Sequence, residues 1–324
     1  MKKGIVIGKF YPPHRGHKYL IDTALSQVDQ LTVIVCHAQY QKIHGEQRAA
    51  WLREIHPKAK VIVVDDIGKD DDSQAWAEYT KKFLGYTPDV VFTSEEYGIN
   101  YAKYLGCEHV LVDLERLSVP ISATKIRDNP IGYIDFLEPM VRADFIKRIC
   151  IVGAESTGTT TLSQDLARHY ETVWAPEFGR FYTESKLSLT KDKWISEDFK
   201  YIAATQNSLE DILARQANKL LICDTNSLAT EIWHDRYMVY MSEKIREISK
   251  NRKYDMYFVT GDEIPFVQDG LRDGEHIRHQ MHDRFVQILE QRSIPFVLLR
   301  GNRKERLGDA IKICDKVLGT SSGL

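Results

Sequence analysis

The chain has 324 residues, enough for two domains of roughly 150 residues that each build their own core. Its 44 lysines and arginines nearly balance 46 aspartates and glutamates, which argues against a dedicated nucleic-acid-binding protein. No apolar run approaches the roughly 18 residues of a membrane helix, and the first run is too short for a secretory signal. The five cysteines lack metal-ligand spacing, which indicates free thiols in a reducing compartment. We therefore expect a soluble cytoplasmic protein with no nucleic-acid or membrane partner, whose composition is compatible with a homo-oligomer.

Two series of β-rich runs alternate with amphipathic helical patterns, which is typical of parallel α/β domains. The first series predicts strands over 4–8, 31–36, 60–65, 89–94 and 109–113. The second series predicts strands over 148–153, 219–224, 256–261 and 294–301. Between the two series lies a segment with Asn-Pro and Glu-Pro pairs but no strand signal, so we expect domains over 1–145 and 146–324. The acidic stretch over 65–73 predicts a solvated loop.

The first predicted strand runs directly into a turn and a helix with the sequence GKFYPPHRGHKYLI, residues 8–21. Two histidines, His14 and His17, flank Gly16 at the start of that helix. The helix N–H groups and the positive end of the helix dipole point to the same place, which suits a polyphosphate. Lys9 adds a cation on the same loop. The alternative is a tight turn whose histidines merely cap the helix.

A second polar segment, VPISATKIRDNP at 119–130, is predicted to begin another helix late in the same domain. Ser122 and Thr124 can cap that helix and bond to phosphate, and Arg127 can clamp a phosphate with two donors. Taken alone, the segment is also an ordinary capping motif. Because ligands bind at the carboxyl ends of strands in open α/β sheets, we expect both segments at that edge.

The first segment resembles the signature of the HxGH nucleotidyltransferase superfamily, and the second resembles its I-S-x-T-x-I-R motif. The resemblance implies a Rossmann-like domain in which a substrate phosphate attacks the α-phosphorus of ATP and expels pyrophosphate. Such a reaction depends on orientation and charge neutralisation rather than on a protein nucleophile. It implies catalytic roles for Lys9, His14, His17 and Arg127, ATP contacts from Gly8, Phe10, Gly16, Ser122 and Thr124, and Mg²⁺ as cofactor.

Three further segments, at 44–52, 91–98 and 110–127, together with the second half of the chain, resemble the bifunctional NadR-type enzymes. These combine nicotinamide-mononucleotide adenylyltransferase with ribosylnicotinamide kinase. The resemblance implies a substrate site that includes Arg48, Ser94, Glu95, Tyr97, Asp113 and Arg116, with Trp76 stacked on the nicotinamide. Trp76 and Tyr97 also fit ordinary packing positions. Enterobacterial members carry an N-terminal helix-turn-helix repressor domain, which we do not expect here because the chain opens on the first catalytic strand.

The second half begins with a predicted strand followed by GAESTGTTTL, residues 153–162. The spacing matches the phosphate loop G-x-x-x-x-G-K-[ST], but Thr159 stands where the motif has lysine. Backbone N–H groups can still cradle phosphate oxygens, and Thr160 can reach Mg²⁺. The missing charge-assisted contact is worth roughly 1.5–3 kcal/mol. The predicted phosphate-binding residues are Gly153, Glu155, Ser156, Thr157, Gly158, Thr159, Thr160 and Thr161.

The remaining kinase assignments rest on the NadR-type resemblance. It implies Glu177, Arg180 and Asp269 on the substrate side, Asp224 as Mg²⁺ ligand or general base, and Asn302 near the adenine. The segment over 264–278 resembles the lid and brings Asp269, Arg272 and Arg278. Arg272 is our first choice to replace the lysine charge, and Arg180 is the second. Three alternatives remain at this stage. Asp224 can cap the next helix, Glu177 and Arg180 can pair on a helix surface, and 272–284 can be a solvated helix face.

We therefore predict a Rossmann-like HxGH domain followed by a P-loop kinase domain, both with parallel sheets. The expected function is phosphorylation of ribosylnicotinamide by ATP to nicotinamide mononucleotide, followed by its adenylylation to NAD. One alternative is an adenylyltransferase whose second domain is a catalytically weak, nucleotide-sensing module. Another is an HxGH adenylyltransferase for a different phosphorylated acceptor, such as phosphopantetheine or a flavin.

Overall fold

The computed structural model describes residues 1–69, 71–189, 193–270 and 274–319. The chain divides into two compact units, Met1–Arg142 and Ala143–Leu324. All five cysteines are free thiols, as predicted. Within the described residues, no helix is both long enough and apolar enough to cross a membrane.

The first unit is built on a parallel sheet. Its strands, in chain order, are β1 (Lys3–Gly8), β2 (Gln30–His37), β3 (Lys60–Asp65), β4 (Val90–Thr93) and β5 (Glu108–Leu111). Their order across the sheet is β3-β2-β1-β4-β5. The central strands are buried almost throughout, which explains their runs of Val and Ile, because helices cover both faces of a parallel sheet.

Helices connect these strands and end the unit. They are α1 (Arg15–Leu25), α2 (Gly45–Ile55), α3 (Ser73–Leu84), α4 (Tyr97–Leu105), α5 (Ala123–Asp128) and α6 (Pro139–Arg142). The apolar side chains of α1 and α2 pack with Val33 and Val35 of β2 in one core. Those of α3 and α4 pack with Ile34 and Val91 in a second core on the other face.

The second unit repeats the arrangement. Its strands are β6 (Lys147–Val152), β7 (Trp174–Ala175), β8 (Leu220–Asp224), β9 (Met256–Thr260) and β10 (Phe296–Leu299), in the order β10-β9-β6-β8-β7. Its helices are α7 (Thr159–His169), α8 (Phe178–Leu189), α9 (Ser196–Ala214), α10 (Ser227–Met238), α11 (Glu243–Lys250), α12 (Glu275–Gln291) and α13 (Arg303–Leu318). The pattern missed β7, because two residues are too short for an alternation.

The predicted α/β class with two parallel sheets is confirmed. In both sheets the first strand of the unit has neighbours on both sides, β2 and β4 beside β1, and β8 and β9 beside β6. Such a reversal of strand order leaves a crevice at the carboxyl ends of the strands. The two loops singled out in the sequence follow directly after Gly8 of β1 and Val152 of β6.

Candidate active sites

The first unit has a cleft of about 1080 Å³ beside the carboxyl ends of β1 and β4. The predicted site residues that line it are Gly8, Lys9, Phe10, His17, Trp76, Ser94, Glu95, Tyr97, Arg116 and Arg127. Tyr11 and Arg127, 116 positions apart in sequence, are in direct contact at its edge. The two motifs of the first half therefore meet at one place.

The two motif histidines hold each other and the start of α1 in position. His14 Nδ1 accepts hydrogen bonds from the N–H groups of Gly16 (3.1 Å) and His17 (3.4 Å), so His14 is the N-cap. His17 Nδ1 accepts from the His14 N–H at 3.3 Å, and the rings stack with centroids 3.8 Å apart. A side chain at Gly16 would meet the His14 ring at 2.9 Å, which explains the glycine. The Nδ1 atoms of both histidines thus bond to the backbone at the start of α1, as the capping alternative predicts. His17 in addition lines the cleft.

Both imidazoles are neutral near pH 7. Burial, and to a smaller extent Arg116, lowers the pKa of His14 to about 3. Burial, with smaller contributions from His14 and Arg116, also lowers the pKa of His17 well below its usual value. Because Nδ1 of each ring accepts a hydrogen bond, the proton is on Nε2, which can donate to a phosphate oxygen. The positive charge in this cleft comes from Lys9, Arg116 and Arg127 instead.

Arg127 is held by two contacts with Tyr11 of the first motif and by one contact within its own helix. Its Nη1 donates to the Tyr11 carbonyl at 2.6 Å, and its Nη2 donates to Thr124 Oγ1 at 2.9 Å. Its guanidinium carbon lies 5.1 Å from the centroid of the Tyr11 ring. Ser122 caps α5 by accepting from the Lys125 N–H at 3.3 Å. Ser122 and Thr124 therefore orient the helix and the arginine.

Lys9 lies beside a buried carboxylate that the sequence placed in a solvated loop. The Lys9 Nζ atom is 3.7 Å from Asp66 Oδ2, and the Asp66 side chain is only 4% exposed. Asp66 Oδ1 accepts from the Gly68 N–H at 2.8 Å, whereas Oδ2 has no hydrogen-bond partner among the described residues. The expectation for Asp66 was wrong because the chain after β3 turns its carboxylate into the cleft.

Arg48, predicted to bind substrate, is instead fully buried. Its Nη1 donates to the carbonyls of Lys9 and Cys36, the latter at 3.1 Å. Its Nη2 bonds to Gln41 Oε1 at 2.6 Å and His37 Nδ1 at 3.1 Å, and its Nε bonds to carbonyls at 43 and 44. All five N–H groups are used, so Arg48 ties the Lys9 loop to the end of β2.

Asp113 likewise bonds to backbone groups of its own loop. It has a φ of 53°, and its carboxylate accepts from the N–H groups of Ser118 (3.1 Å) and Val119 (3.3 Å). These backbone hydrogen bonds, led by that of Ser118, lower the pKa of Asp113. The carboxylate therefore shapes the loop that carries Arg116, which lines the cleft and lies 3.5 Å from Glu95.

The two aromatic candidates combine packing with exposure to the cleft. The Trp76 indole packs partly against the core of the α3 face, and its Nε1–H donates to the Lys69 carbonyl at 3.0 Å. The Tyr97 hydroxyl donates to the Ile7 carbonyl at 3.3 Å, while 40% of the residue stays exposed. Both residues line the cleft, so their packing role does not remove them from a substrate site.

The second unit has a cleft of about 400 Å³ over the loop that follows β6. The predicted residues that line it are Gly153, Glu155, Ser156, Gly158, Thr159, Thr160, Thr161, Glu177 and Arg180. Gly158 has a φ of 86°, and a side chain at Gly153 would meet Thr260 Oγ1 at 2.2 Å. Thr157 is buried below the loop and donates to the Ala154 carbonyl at 2.7 Å. The loop has the strand–loop–helix setting of a phosphate loop.

Asp224 ends β8 beside the first turn of α7. Its Oδ2 accepts from the Thr160 hydroxyl at 2.6 Å, and its Oδ1 is buried without a hydrogen-bond partner among the described residues. Burial raises the pKa of Asp224 to about 6, against the hydroxyls of Thr160 and Thr159, which favour the charged form. Asp224 does not cap the next helix, because Asn226 does so.

The cleft also has an aromatic wall that the sequence did not predict. Trp194, Phe199, Trp233 and Tyr237 line it from α9, α10 and the chain before α9. The Trp194 and Phe199 rings lie 5.1 Å apart, and each contacts Tyr237. A wall of this type can pack against a planar ring and provides a large apolar area.

Arg180 makes ion pairs in this structure. Its Nη2 lies 2.7 Å from Asp269 Oδ2, and its Nε lies 3.2 Å from Glu184. The hydrogen bond with Asp269 chiefly raises the pKa of Arg180, and the charges of Glu184 and Glu177 add to this effect. Arg272, our first choice for the lysine charge, lies outside the described residues.

Asn302, predicted to contact the nucleotide, caps α13 instead. Its Oδ1 accepts from the N–H groups of Lys304 (2.9 Å) and Glu305 (3.1 Å), and Glu305 bonds back to its N–H. The alternative of a solvated helix face over 272–284 does not hold at Arg278, which is 2% exposed. Arg278 and Arg306 are buried against the phosphate loop; the sequence placed Arg278 in the segment that resembles the lid, without a contact to this loop, and gave Arg306 no role of its own.

Comparisons with known proteins agree with both halves of this description. Residues 5–129 match the cytidylyltransferase-like family, and residues 148–306 match an AAA domain family. The chain is 31% identical over 318 residues to the trifunctional NAD biosynthesis/regulator protein NadR of Escherichia coli K12, covering 91% of this chain and 78% of that protein. The chain belongs to the NadR family.

Two solved NadR structures share the fold of this NadR-family chain. A crystal structure of NadR in complex with NR matches with a TM-score of 0.82 at 22% identity, covering 100% of this chain and 98% of the other. A NadR structure in complex with NAD and AMP-PNP matches with a TM-score of 0.79 at 21% identity and the same coverage. At these identities the likeness shows the fold alone.

The position of Arg48 in this NadR-family chain generates a stability prediction. We expect Arg48→Met to destabilise the first unit by about 2–4 kcal/mol, because several buried carbonyls lose a charged donor. Arg53→Met on the same helix is the matched control. Arg53 is half exposed and bonds to Glu46, so we expect a change within about 0.5 kcal/mol.

Urea unfolding followed by hydrogen exchange of the β1 and β2 amides measures this effect within the first unit. If Arg48→Met kept its stability but bound the mononucleotide more weakly, the structural role would be wrong and Arg48 would belong to the substrate site.

Proposed function

We propose that this chain performs two consecutive steps of NAD synthesis. In the second unit ATP phosphorylates ribosylnicotinamide to nicotinamide mononucleotide. In the first unit a second ATP adenylylates the mononucleotide to NAD, with release of pyrophosphate. The observation that carries the proposal is the pair of polyphosphate-binding loops of different type in one chain of the NadR family. NR, NAD and AMP-PNP, the ligands of the matched NadR structures, are of the kinds that two such sites would bind.

For adenylyl transfer, the first unit has to orient two phosphates and neutralise their charge. An oxygen of the mononucleotide phosphate attacks the α-phosphorus of ATP, and the bond to the β-phosphate oxygen breaks. His14 and His17 donate Nε2–H groups to the leaving pyrophosphate, and the positive end of the α1 dipole lies beside them. Lys9 and Arg127 place positive charge where negative charge develops on the phosphate oxygens in the transition state. We place the nicotinamide against Trp76.

For phosphoryl transfer, the 5′-hydroxyl oxygen of the riboside attacks the γ-phosphorus of ATP, and ADP leaves. The N–H groups of the loop over 153–161 hold the phosphates. Asp224 accepts the proton of the hydroxyl, since its raised pKa of about 6 suits a base near neutral pH. We place the nicotinamide ring against Trp194 and the ribose beside Glu177.

Two oxygen atoms of the second unit fit Mg²⁺. Thr160 Oγ1 and Asp224 Oδ2 lie 2.6 Å apart at the loop, and the buried Asp224 Oδ1 has no partner among the described residues. No group of three or more His, Cys, Asp or Glu side chains suited to a metal occurs in the described ranges. That fits Mg²⁺, which is usually held by one or two protein ligands together with substrate phosphates. When bound, Mg²⁺ would neutralise phosphate charge.

The first test of this proposal is a reconstitution. The chain, Mg-ATP and ribosylnicotinamide should yield the mononucleotide and then NAD, with ADP and pyrophosphate as co-products detected by chromatography. NAD formed from the mononucleotide but not from the riboside would reject the kinase half. Transfer to phosphopantetheine or a flavin phosphate in preference to the mononucleotide would reject the substrate assignment of the first unit.

Single substitutions should separate the two activities. We expect Arg127→Met to lower adenylyl transfer by about a hundredfold, as for loss of one preorganised charged donor, and to leave riboside phosphorylation unchanged. Lys125→Met, an exposed position on the same helix, is the control and should keep both activities. Asp224→Asn should abolish riboside phosphorylation and keep adenylyl transfer. If each of the two substitutions impaired both activities equally, the assignment of one activity to each unit would be wrong.

The raised pKa of Asp224 predicts the pH dependence of the kinase step. Holding Mg²⁺ and accepting a proton both require the carboxylate, so riboside phosphorylation should fall as the pH drops below about 6. It should level off above that value, because Asp224 is then ionised. Measurements of kcat/KM for Mg-ATP between about pH 5 and about pH 8, at saturating riboside, would show this fall, because this ratio reports the ionisation of Asp224 before Mg²⁺ binds. A flat profile across pH 6 would contradict the role of Asp224.

A further inference from the structure

The phosphate loop of the second unit lacks the lysine of its motif, and its cleft offers little to replace it. Thr159 stands at the lysine position. Among the described residues that line this cleft, Arg180 is the one basic residue, and it is paired with Asp269 and Glu184. The positive charge that balances an ATP polyphosphate therefore has to come from described residues outside the cleft lining or from residues that the structure does not describe.

Two buried arginines lie behind the loop and bond to consecutive carbonyl groups. Arg278 of α12 is 2% exposed, and its Nη2 donates to the Ser156 carbonyl at 3.4 Å and to the Ile264 carbonyl at 2.6 Å. Arg306 of α13 is 5% exposed, and its Nη1 donates to the Thr157 carbonyl at 2.7 Å. Both cations thus contact the side of the loop that faces away from the cleft.

These contacts act on two N–H groups of the phosphate loop. The Ser156 carbonyl belongs to the same peptide unit as the Thr157 N–H, and the Thr157 carbonyl belongs to that of the Gly158 N–H. Neither N–H has an acceptor among the described residues. A carbonyl that accepts from a cation polarises its peptide unit, so the N–H at the other end becomes a stronger donor.

The two arginines differ in whether a neighbouring carboxylate balances their positive charge. Arg306 Nη2 lies 2.8 Å from Glu263 Oε1, so a carboxylate balances its charge. Arg278 has no acidic partner among the described residues, its Nε has no hydrogen-bond partner there, and its guanidinium carbon lies 5.9 Å from the Phe266 ring centroid. A buried guanidinium without a carboxylate keeps its field, because little water screens it.

We infer that Arg278 replaces the missing lysine from behind the loop, through the Ser156–Thr157 peptide. It is a positioning residue, since it touches the loop and not the nucleotide. Arg306 holds the loop in shape and contributes little net charge. The inference rests on the proposed ATP site of the second unit, which it deepens by naming the source of its positive charge.

The test combines Arg278→Met with Thr159→Lys, which restores the motif lysine. The affinity for AMP-PNP is read from hydrogen-exchange protection of the loop amides over 153–162, so that ATP binding by the first unit does not interfere. We expect Arg278→Met to weaken binding about ten- to a hundredfold, and we expect Thr159→Lys to raise the affinity much more in the Arg278→Met background than in the wild-type protein. In the double variant, Thr159→Lys should recover at least about tenfold of the loss.

Arg306→Met is the matched control, because it also removes a buried arginine from the loop. Thr159→Lys should not rescue it, since loop shape rather than charge is lost. Arg278→Lys, which keeps the charge, should bind close to wild type. Equal effects of Thr159→Lys in the wild-type and Arg278→Met backgrounds would overturn the inference.

A gain of more than about tenfold from Thr159→Lys alone would also overturn it and needs no Arg278 variant to fold. If the protein binds AMP-PNP but does not phosphorylate the riboside, the proposed kinase activity is rejected. The AMP-PNP affinities of the variants still test the role of Arg278 in that case.

Discussion

Both candidate sites depend on the same constraint, which is that all strands of a parallel sheet end at one edge. At that edge the chain leaves β1 and β6 and enters a helix within a few residues. The positive end of each helix dipole then points into the crevice where strand order reverses. This geometry attracts phosphate before any side chain is considered. The side chains decide which phosphorus atom reacts.

The two units neutralise phosphate charge in different ways. In the first unit the cations Lys9, Arg116 and Arg127 line an open cleft, where water can exchange with substrate. Its histidines are neutral because they are buried next to an arginine, so they serve as fixed donors. In the second unit the arginines nearest the loop backbone are buried. Solvent screening is weaker there, and less side-chain entropy is lost when the nucleotide binds.

Sequence patterns predicted the two sheets, the motif loops and a part of the residues that line the clefts, because each of these follows from local periodicity or a short motif. They failed where a polar residue near the site holds a loop. Arg48, Asp113 and Asn302 occupy positions that looked like ligand contacts. Arg48 instead donates to backbone carbonyls and to the Gln41 and His37 side chains. Asp113 and Asn302 accept from nearby backbone N–H groups. A loop at a strand end leaves unpaired N–H and carbonyl groups, and a polar neighbour often satisfies them. Sequence spacing does not distinguish that role from ligand binding.

Long-range contacts explain why the sequence did not link Arg278 and Arg306 to the phosphate loop. Arg278 lies 122 positions from Ser156, and Arg306 lies 149 positions from Thr157, so no local pattern links either arginine to the loop. A lysine inside the motif is visible in sequence, whereas a cation supplied by another helix is visible only after folding. Loss of the motif lysine is therefore weak evidence for loss of phosphate binding. Because the N–H groups that meet the phosphate belong to peptide units, a cation that bonds to the carbonyl of the same unit can act from the opposite side of the loop.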